Sequence, residues 1–417
     1  MPGSLLAPDS QALRTRDEIL ARLPLTAQTP GLPQARLLAD YVIGRRGGSL
    51  DVSGRTTDGT HVSPADAPAR IIVVDDPHGL QARVLTEFAP VATFNDRLDE
   101  AGAVAAAAPS AEAVADLGEY VSARLAEVDA AHSSEADEEP EVWAVVNAPK
   151  ATSALAEVVA VLQPLVSTLI VIGRSDVMSR AVNKELARGF GRVDVSPGIG
   201  KHRLIIGSRP LSTPSLTAFP RRGTIETTET GPLEVSAHGA CFSGTKADEG
   251  STLLLTALAE AVAAPDGPAA LTRPASVLDL GVGNGWLLTA ALRVTGAGTG
   301  VGVDISRAAV ASAQETAAAN GSDVATILAD ATDVDALTGE FDLILLNPPF
   351  HHGTTIETDT AGELIRTAAA HLRPGGRVVT VFNSHLRYRD RLESLIGPSE
   401  QLARTAKFTV VISRAAD

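Results

Sequence analysis

Two tandem α/β domains, each a mostly parallel sheet with helices on both faces, are the fold the sequence predicts, and three observations carry it. The chain has 417 residues, enough for two separate hydrophobic cores. Short apolar runs alternate with helical patterns in both halves, the rhythm of parallel strands joined by crossover helices. The halves also keep comparable spacing. Asp75 and Asn147 stand 72 residues apart, Asp279 and Asn347 stand 68 apart, and each pair ends apolar runs, as a duplication would leave them.

In the first half, strands are expected at Arg70 to Val74, Pro90 to Phe94, Val142 to Asn147, Thr168 to Gly173 and His202 to Gly207. The stretch Glu127 to Glu141 holds seven acidic and no basic residues and reads as a solvated loop. A helix expected to begin near Asp176 puts Arg180, Lys184 and Arg188 on one face, because every fourth residue returns to the same side. From Arg180 to Arg222 there are nine basic and two acidic residues, which fits either a solvated face or a patch that meets phosphates. Pro210, Pro214, Pro220, Gly223 and Gly231, set among Ser and Thr, mark a break. The expected division is therefore a first domain over 1–215, a linker over 216–232 and a second domain over 233–417.

In the second half, strands are expected at Ser276 to Leu280, Gly300 to Asp304, Val324 to Leu328, Asp342 to Asn347, Arg377 to Phe382 and Lys407 to Ser413. Thr360 to Leu372 places Leu364, Ile365, Ala368, Ala369 and Leu372 on one helical stripe, which Arg373-Pro374-Gly375-Gly376 stops. The last two strands flank a helix and loop and are expected to pair antiparallel at the sheet edge. Asp248 is expected to cap a helix starting near Gly250.

Composition narrows the class. Hydrophobic residues at 44% and charged residues at 20% exclude a largely disordered chain. The single cysteine, Cys241, excludes an internal disulfide and a Cys-rich zinc site, and points to a cytoplasmic protein without a metal. There is no signal-peptide pattern and no uncharged apolar run of spanning length, so no membrane association is expected. A net charge of −15 argues against broad binding to polyanions. Split at residue 232, the halves carry −7 and −8, so any polyanion must be met by a local patch.

The chemistry lies in the second half. Asp279-Leu280-Gly281-Val282-Gly283-Asn284-Gly285 runs from a strand into a glycine-rich turn before the helical pattern Trp286 to Val294. Such a turn brings backbone amides and a helix N-terminus close to a ligand. Asp304 ends the next strand, where a carboxylate can accept from a ribose diol, and Asp330-Ala331 follows the third, where a carboxylate can accept from an adenine amino group. The fourth strand ends in Asn347-Pro348-Pro349-Phe350. Two prolines fix the backbone and remove two donors, so the Asn347 side chain and the Pro348 carbonyl can grip an amino nitrogen while its ring stacks on Phe350.

These residues resemble class I S-adenosylmethionine-dependent methyltransferases, and the tetrapeptide resembles the branch that methylates exocyclic or amide nitrogens. Ala240-Cys241-Phe242-Ser243, Asp248-x-Gly250-Ser251, Asn347 through Gly353, Leu364-Ile365-Arg366 with His371-Leu372, Asn383 with Leu386 and Tyr388, and Lys407-Phe408 are similar to the ribosomal RNA guanine-N2 methyltransferases of the RsmC and RlmG type. In the first half the likeness rests on Arg36 to Asp40, Ile71 to Asp76 and Asn147 to Lys150. The resemblance implies two Rossmann-like class I methyltransferase domains, the N-terminal one degenerate and without cofactor, and a working site in the second. It implies S-adenosylmethionine as cofactor, held by Phe242, Asp279, Gly281, Gly283, Gly285, Asp304, Asp330, Ala331 and Asn347, with Asn347, Pro348, Pro349 and Phe350 catalytic. Ribosomal RNA or a ribosomal subunit is the implied partner of a monomer, met by Arg180, Lys184, Arg188 and His351. Trp286 is expected to pack, its bulk standing where the family carries smaller side chains. Competing readings are an N5-glutamine protein methyltransferase, an adenine-N6 nucleic-acid methyltransferase, and a non-enzymatic RNA-binding scaffold.

Overall fold

The computed structural model describes residues 20–47, 68–131, 141–264, 271–348 and 355–415, apart from positions 22, 24, 27, 177, 197, 199, 272 and 387. The chain divides into two units, Met1–Ala218 and Phe219–Asp417. Positions 132–140 of the acidic stretch Glu127 to Glu141 lie outside the described residues, as do Pro349, Phe350, His351 and Arg387.

The first unit runs α1 (Leu32–Gly47), β1 (Arg70–Val74), α2 (Leu80–Leu85), β2 (Val91–Phe94), α3 (Leu98–Ala107), β3 (Glu112–Ala113), α4 (Leu117–Ala131), β4 (Val142–Asn147), α5 (Thr152–Leu162), β5 (Thr168–Arg174), α6 (Arg180–Gly189), β6 (Phe190–Val195) and β7 (His202–Pro210). Its sheet has the order β3-β2-β1-β4-β5-β7-β6, with β7 antiparallel to β5 and β6 antiparallel to β7. The unbroken apolar runs follow from burial on both faces. Ile71, Val73, Val145 and Ile170 pack into one cluster, while Ile72, Val74, Val146 and Val171 pack into another. Each such side chain contributes on the order of 1.5–3 kcal/mol by leaving water.

The second unit opens with a hairpin, β8 (Arg221–Thr227) and β9 (Gly231–Ala237). It continues with α7 (Glu249–Ala263), β10 (Ser276–Leu280), α8 (Trp286–Thr295), β11 (Thr299–Asp304), α9 (Arg307–Ala319), β12 (Val324–Leu328), β13 (Phe341–Leu346), α10 (Thr355–Ala370), β14 (Leu372–Asn383), α11 (Tyr388–Leu395), β15 (Ser399–Arg404) and β16 (Phe408–Arg414). The sheet order β12-β11-β10-β13-β14-β16-β15 repeats that of the first unit, and β16 lies antiparallel to β14 as the sequence suggests. Val277, Leu343, Leu345 and Val379 face one core cluster, and Leu278, Leu280, Ile344 and Val378 face the other.

The expected fold class holds in both halves. Three details differ. The stretch expected as a linker over 216–232 carries β8 and the start of β9, because its Pro220 and Gly231 sit at the ends of a hairpin whose Ile225 turns inward. The basic helix begins at Arg180, where the Ser179 hydroxyl accepts from the Ala181 amide, rather than near Asp176. Arg373-Pro374-Gly375-Gly376 does not precede β14 but sits within it, bulged between the pairs Phe341↔Leu372 and Leu343↔Arg377.

Candidate active site

β10 ends at Leu280 in mid-sheet, and the chain turns directly toward α8 through three glycines of positive φ: Gly281 at 98°, Gly283 at 53° and Gly285 at 75°. They differ in what surrounds them. A Cβ on Gly285 would stand 2.6 Å from the Ala313 Cα in α9, so this glycine lets two elements close together. A Cβ on Gly281 or Gly283 would meet nothing within 4 Å, so these two face open space beside the amides that begin α8.

Carboxyl groups surround the loop. Asp279 is 2% exposed, and among the described residues its carboxyl has no hydrogen-bond partner. Burial pushes that carboxyl well above the usual range, and the neighbouring Asp304 charge pushes it further. A cationic ligand group here would relieve the second effect directly. Asp304, ending β11, accepts from the Gly283 amide at 3.1 Å and from the Ser306 amide at 3.0 Å, one on each oxygen. Asp330, after β12, takes the Thr332 amide at 2.9 Å and hydroxyl at 2.7 Å, both on Oδ1. Ala331 is buried in the core cluster beside it.

Phe242 is 61% exposed and precedes two residues in the left-handed region, Ser243 and Gly244. Its segment is tied to the glycine loop by Asn284, which donates to the carbonyls of Gly244 at 2.8 Å and Lys246 at 3.4 Å and accepts from the Trp286 amide. Trp286 is buried in the core, as packing requires, with its indole N–H unpartnered among the described residues.

Asn347 follows β13 beside the end of β10, since Leu346 pairs with Leu280. Its Nδ2 donates to Asp248 Oδ2 at 3.1 Å and to Ser251 Oγ at 2.9 Å. Asp248 caps α7, its Oδ2 also accepting from the Ser251 amide at 3.1 Å. A Cβ on Gly250 would stand 3.5 Å from Asn347 Oδ1 and 3.6 Å from the Phe408 ring. Pro348 is buried; Pro349, Phe350 and His351 are not among the described residues. The cap was legible from the Asp248-x-x-Ser251 spacing, but its reach to Asn347, 99 residues on, was not.

The equivalent positions of the first unit are occupied by other groups. Val74 pairs with Val146 as Leu280 pairs with Leu346, which makes Asn147 the counterpart of Asn347 and Asp75 that of Gly281, not of Asp279. The amides of Asp75 and Gly281 donate alike to the neighbouring strand, to Phe94 and Val303, each at 2.9 Å. Asp76 is 1% exposed and accepts from the amides of Ala82 at 3.0 Å and His78 at 3.3 Å. The Asn147 side chain exchanges two hydrogen bonds with Gln81, at 2.7 and 3.2 Å. Arg180, Lys184 and Arg188 are exposed on α6, Arg188 lying 3.5 Å from Glu185 and donating to the Thr217 hydroxyl.

A mostly parallel sheet of this order, with a glycine loop after its first strand and carboxylates after the next two, defines an α/β methyltransferase fold. The methyltransferase small domain family matches residues 232–412. The ribosomal RNA small subunit methyltransferase C of Pasteurella multocida (strain Pm70) is 30% identical over 249 residues, 59% of this chain and 71% of that protein. That of Pseudomonas entomophila (strain L48) is 36% identical over 182 residues, 44% of this chain and 51% of that protein. Among solved structures, the T. thermophilus 16S rRNA N2 G1207 methyltransferase (RsmC), in complex with AdoMet and guanosine, matches with a TM-score of 0.65 and 25% identity, covering 83% of this chain and 88% of that one. The chain belongs to the ribosomal RNA small subunit methyltransferase C family. In its matches to the Pseudomonas entomophila protein and to others of the curated relatives, the chain spans about half of their length. No helix among the described residues is long and apolar enough to cross a membrane, and no group of His, Cys, Asp and Glu among them is arranged to hold a metal ion.

Proposed function

We propose that the protein transfers a methyl group from S-adenosylmethionine to the exocyclic N2 amino group of a guanosine in ribosomal RNA. The observation that carries this reading is the Asn347 amide, whose nitrogen is taken up by Asp248 and Ser251 so that Oδ1 is the atom left to face a substrate. The T. thermophilus relative, solved with AdoMet and guanosine, supports the choice of cofactor and nucleoside.

The residues around the glycine loop fit the cofactor. Gly281 and Gly283 leave room for close approach, Asp279 offers a buried carboxyl to a cationic group, Asp304 to ribose hydroxyls, and Asp330 Oδ2 to an adenine amine, with the Ala331 backbone alongside. Phe242, exposed and followed by a segment tied to the glycine loop through Asn284, would cover it. When bound, S-adenosylmethionine supplies a methyl carbon already activated on a sulfonium. The chain then mainly aligns the amino nitrogen with that carbon. Asn347 Oδ1 and the Pro348 carbonyl accept the amino hydrogens, favouring the positive charge that develops on nitrogen as the N–C bond forms and the methyl–sulfur bond breaks; the surplus proton on nitrogen is then lost to solvent. Phe350 supplies the stacking face. The first unit supports the fold and contributes the exposed stripe Arg180, Lys184 and Arg188 to RNA contact; in the second unit His351, next in sequence after the tetrapeptide, is a further RNA contact.

Mass spectrometry of ribosomal RNA nucleosides from a deletion strain tests the reaction, with loss of one N2-methylguanosine expected; an unchanged profile overturns it. Calorimetry with S-adenosylmethionine should give one site per chain, in the second unit. Exchange of Arg180, Lys184 and Arg188 for Glu should weaken RNA methylation without touching cofactor affinity, and undiminished methylation would place the RNA surface elsewhere.

A further inference from the structure

Asn347 carries a side-chain amide, and an amide can present either its oxygen or its nitrogen to a substrate by a half-turn about its last bond. Only the oxygen can accept from an amino group; the nitrogen would set donor against donor. What decides the orientation is therefore part of the chemistry.

Asp248 Oδ2 and Ser251 Oγ lie 3.1 and 2.9 Å from Asn347 Nδ2. A carboxylate has no hydrogen to donate, so the amide atom facing it must be the NH2 group. The Ser251 hydroxyl adds a second acceptor. Both come from the first turn of α7, and Asp248 is itself fixed because the same Oδ2 accepts from the Ser251 amide. Gly250, between them, leaves the space beside Asn347 Oδ1 unfilled by any side chain of its own. The contact is charge-assisted, and withdrawal of the NH2 hydrogens toward a carboxylate enriches electron density on the amide oxygen.

We propose that Asp248 is a positioning residue for methyl transfer: through its bond to Nδ2, supported by Ser251, it orients Asn347 with Oδ1 toward the amino group to be methylated and strengthens that oxygen as an acceptor. This rests on the reading of Asn347 given above. Asp248 need not touch the RNA or the cofactor to have this effect.

The variants separate this role from capping. Asp248→Ser keeps a capping oxygen for α7 but is too short to reach Asn347. Asp248→Asn keeps both an oxygen acceptor at the same position and the cap, and loses only the charge. For Asp248→Ser we expect kcat to fall by about 100-fold, with the KM for RNA and the affinity for S-adenosylmethionine within about threefold of the parent and the melting temperature unchanged. Asp248→Asn should restore most of that loss. In 15N spectra of the intact protein, the side-chain amide protons of Asn347 should lose exchange protection in Asp248→Ser and keep it in Asp248→Asn. Undiminished kcat in Asp248→Ser, or a loss confined to cofactor affinity, overturns the proposal. So does unaltered Asn347 amide protection. If the parent protein binds cofactor but methylates no guanosine, the functional reading fails, and the amide spectra still decide the orienting role of Asp248.

Discussion

The loops after β1 and β10 have the same length and the same attachment to the sheet, yet they hold opposite contents. After β10, two glycines stand over open space, and the amides entering α8 have no carboxylate from their own loop. After β1, the corresponding segment Asp75 to Gly79 carries its own carboxyl: Asp76 lies buried against the amides at the start of α2. Pro77 stands where Gly283 does and has no amide to offer the next strand, whereas the Gly283 amide is held by Asp304. Only the last glycine is shared in role, since a Cβ on Gly79 would strike α3 and one on Gly285 would strike α9, in each case the helix after the next strand. The difference teaches that two loops of one length and one attachment can serve differently: the helix terminus left open after β10 is filled by a side chain after β1, and the backbones part at Pro77, which cannot adopt the φ of 53° that Gly283 has.

The asparagines make the same contrast, and they offer the largest way to break it. Asn347 has its nitrogen taken and its oxygen left; Asn147 gives both to Gln81. Asn347→Ala should lower kcat by at least about 10³-fold while cofactor affinity stays within a few-fold. Asn147→Ala should leave turnover unchanged and cost about 1–2 kcal/mol of first-unit stability, because Gln81 loses its partner. Steady-state kinetics and urea unfolding of both variants check this. Loss of turnover in Asn147→Ala would mean that the first unit holds working chemistry.

A smaller effect separates the glycines. Gly283→Ala puts a methyl group into the open space and strains a residue of φ 53°, so S-adenosylmethionine affinity should fall about 10- to 100-fold with little change in melting. Gly79→Ala instead drives a methyl group to 2.6 Å from the Ala107 Cβ and 2.8 Å from the Val104 Cα, and should destabilise the first unit by about 2–3 kcal/mol with cofactor affinity intact. Calorimetry and thermal unfolding distinguish the two; equal effects on affinity would dissolve the contrast.

Much of this was legible in the sequence for a physical reason. Strands buried on both faces must be continuous apolar runs, and positive φ with close approach calls for glycine, so β1, β4, β5, β10, β13 and the loop of Gly281 to Gly285 could be read directly. What escaped was either short and half-exposed or distant. β3 has two exposed residues, β6 and β15 alternate weakly, and β8 hid among Pro and Gly. Asp248 signalled a cap by local spacing, but its bond to Asn347 depends on the sheet bringing α7 to the end of β13. Likewise Asp75 resembled Asp279 in kind and spacing, and only strand register showed that it replaces Gly281.

That replacement leaves a charge in an unfavourable place, which gives the smallest and most specific test. Asp75 has φ 56° and accepts from the Asp96 amide at 2.9 Å. Burial, with a lesser push from the Asp96 and Glu100 charges and against the Asp96 hydrogen bond, raises its carboxyl from an ordinary 3.8 to about 6. The folded state therefore holds this proton more tightly than the unfolded one, so the destabilisation due to Asp75 is absent below about pH 4 and grows as pH rises toward 6. Near pH 7 the cost is on the order of 2–3 kcal/mol. Asp75→Asn keeps the acceptor for Asp96 and tolerates the left-handed backbone, so it should be more stable than the parent by about that amount at pH 7 and indistinguishable from it near pH 4. The chain has two tryptophans, Trp143 in the first unit and Trp286 in the second, so Trp286→Phe isolates the first unit's fluorescence. A parent and an Asp75→Asn variant with parallel unfolding profiles from pH 4 to pH 7 would show that Asp75 occupies the glycine position without cost, and the filled loop would then be as well adapted electrostatically as the open one.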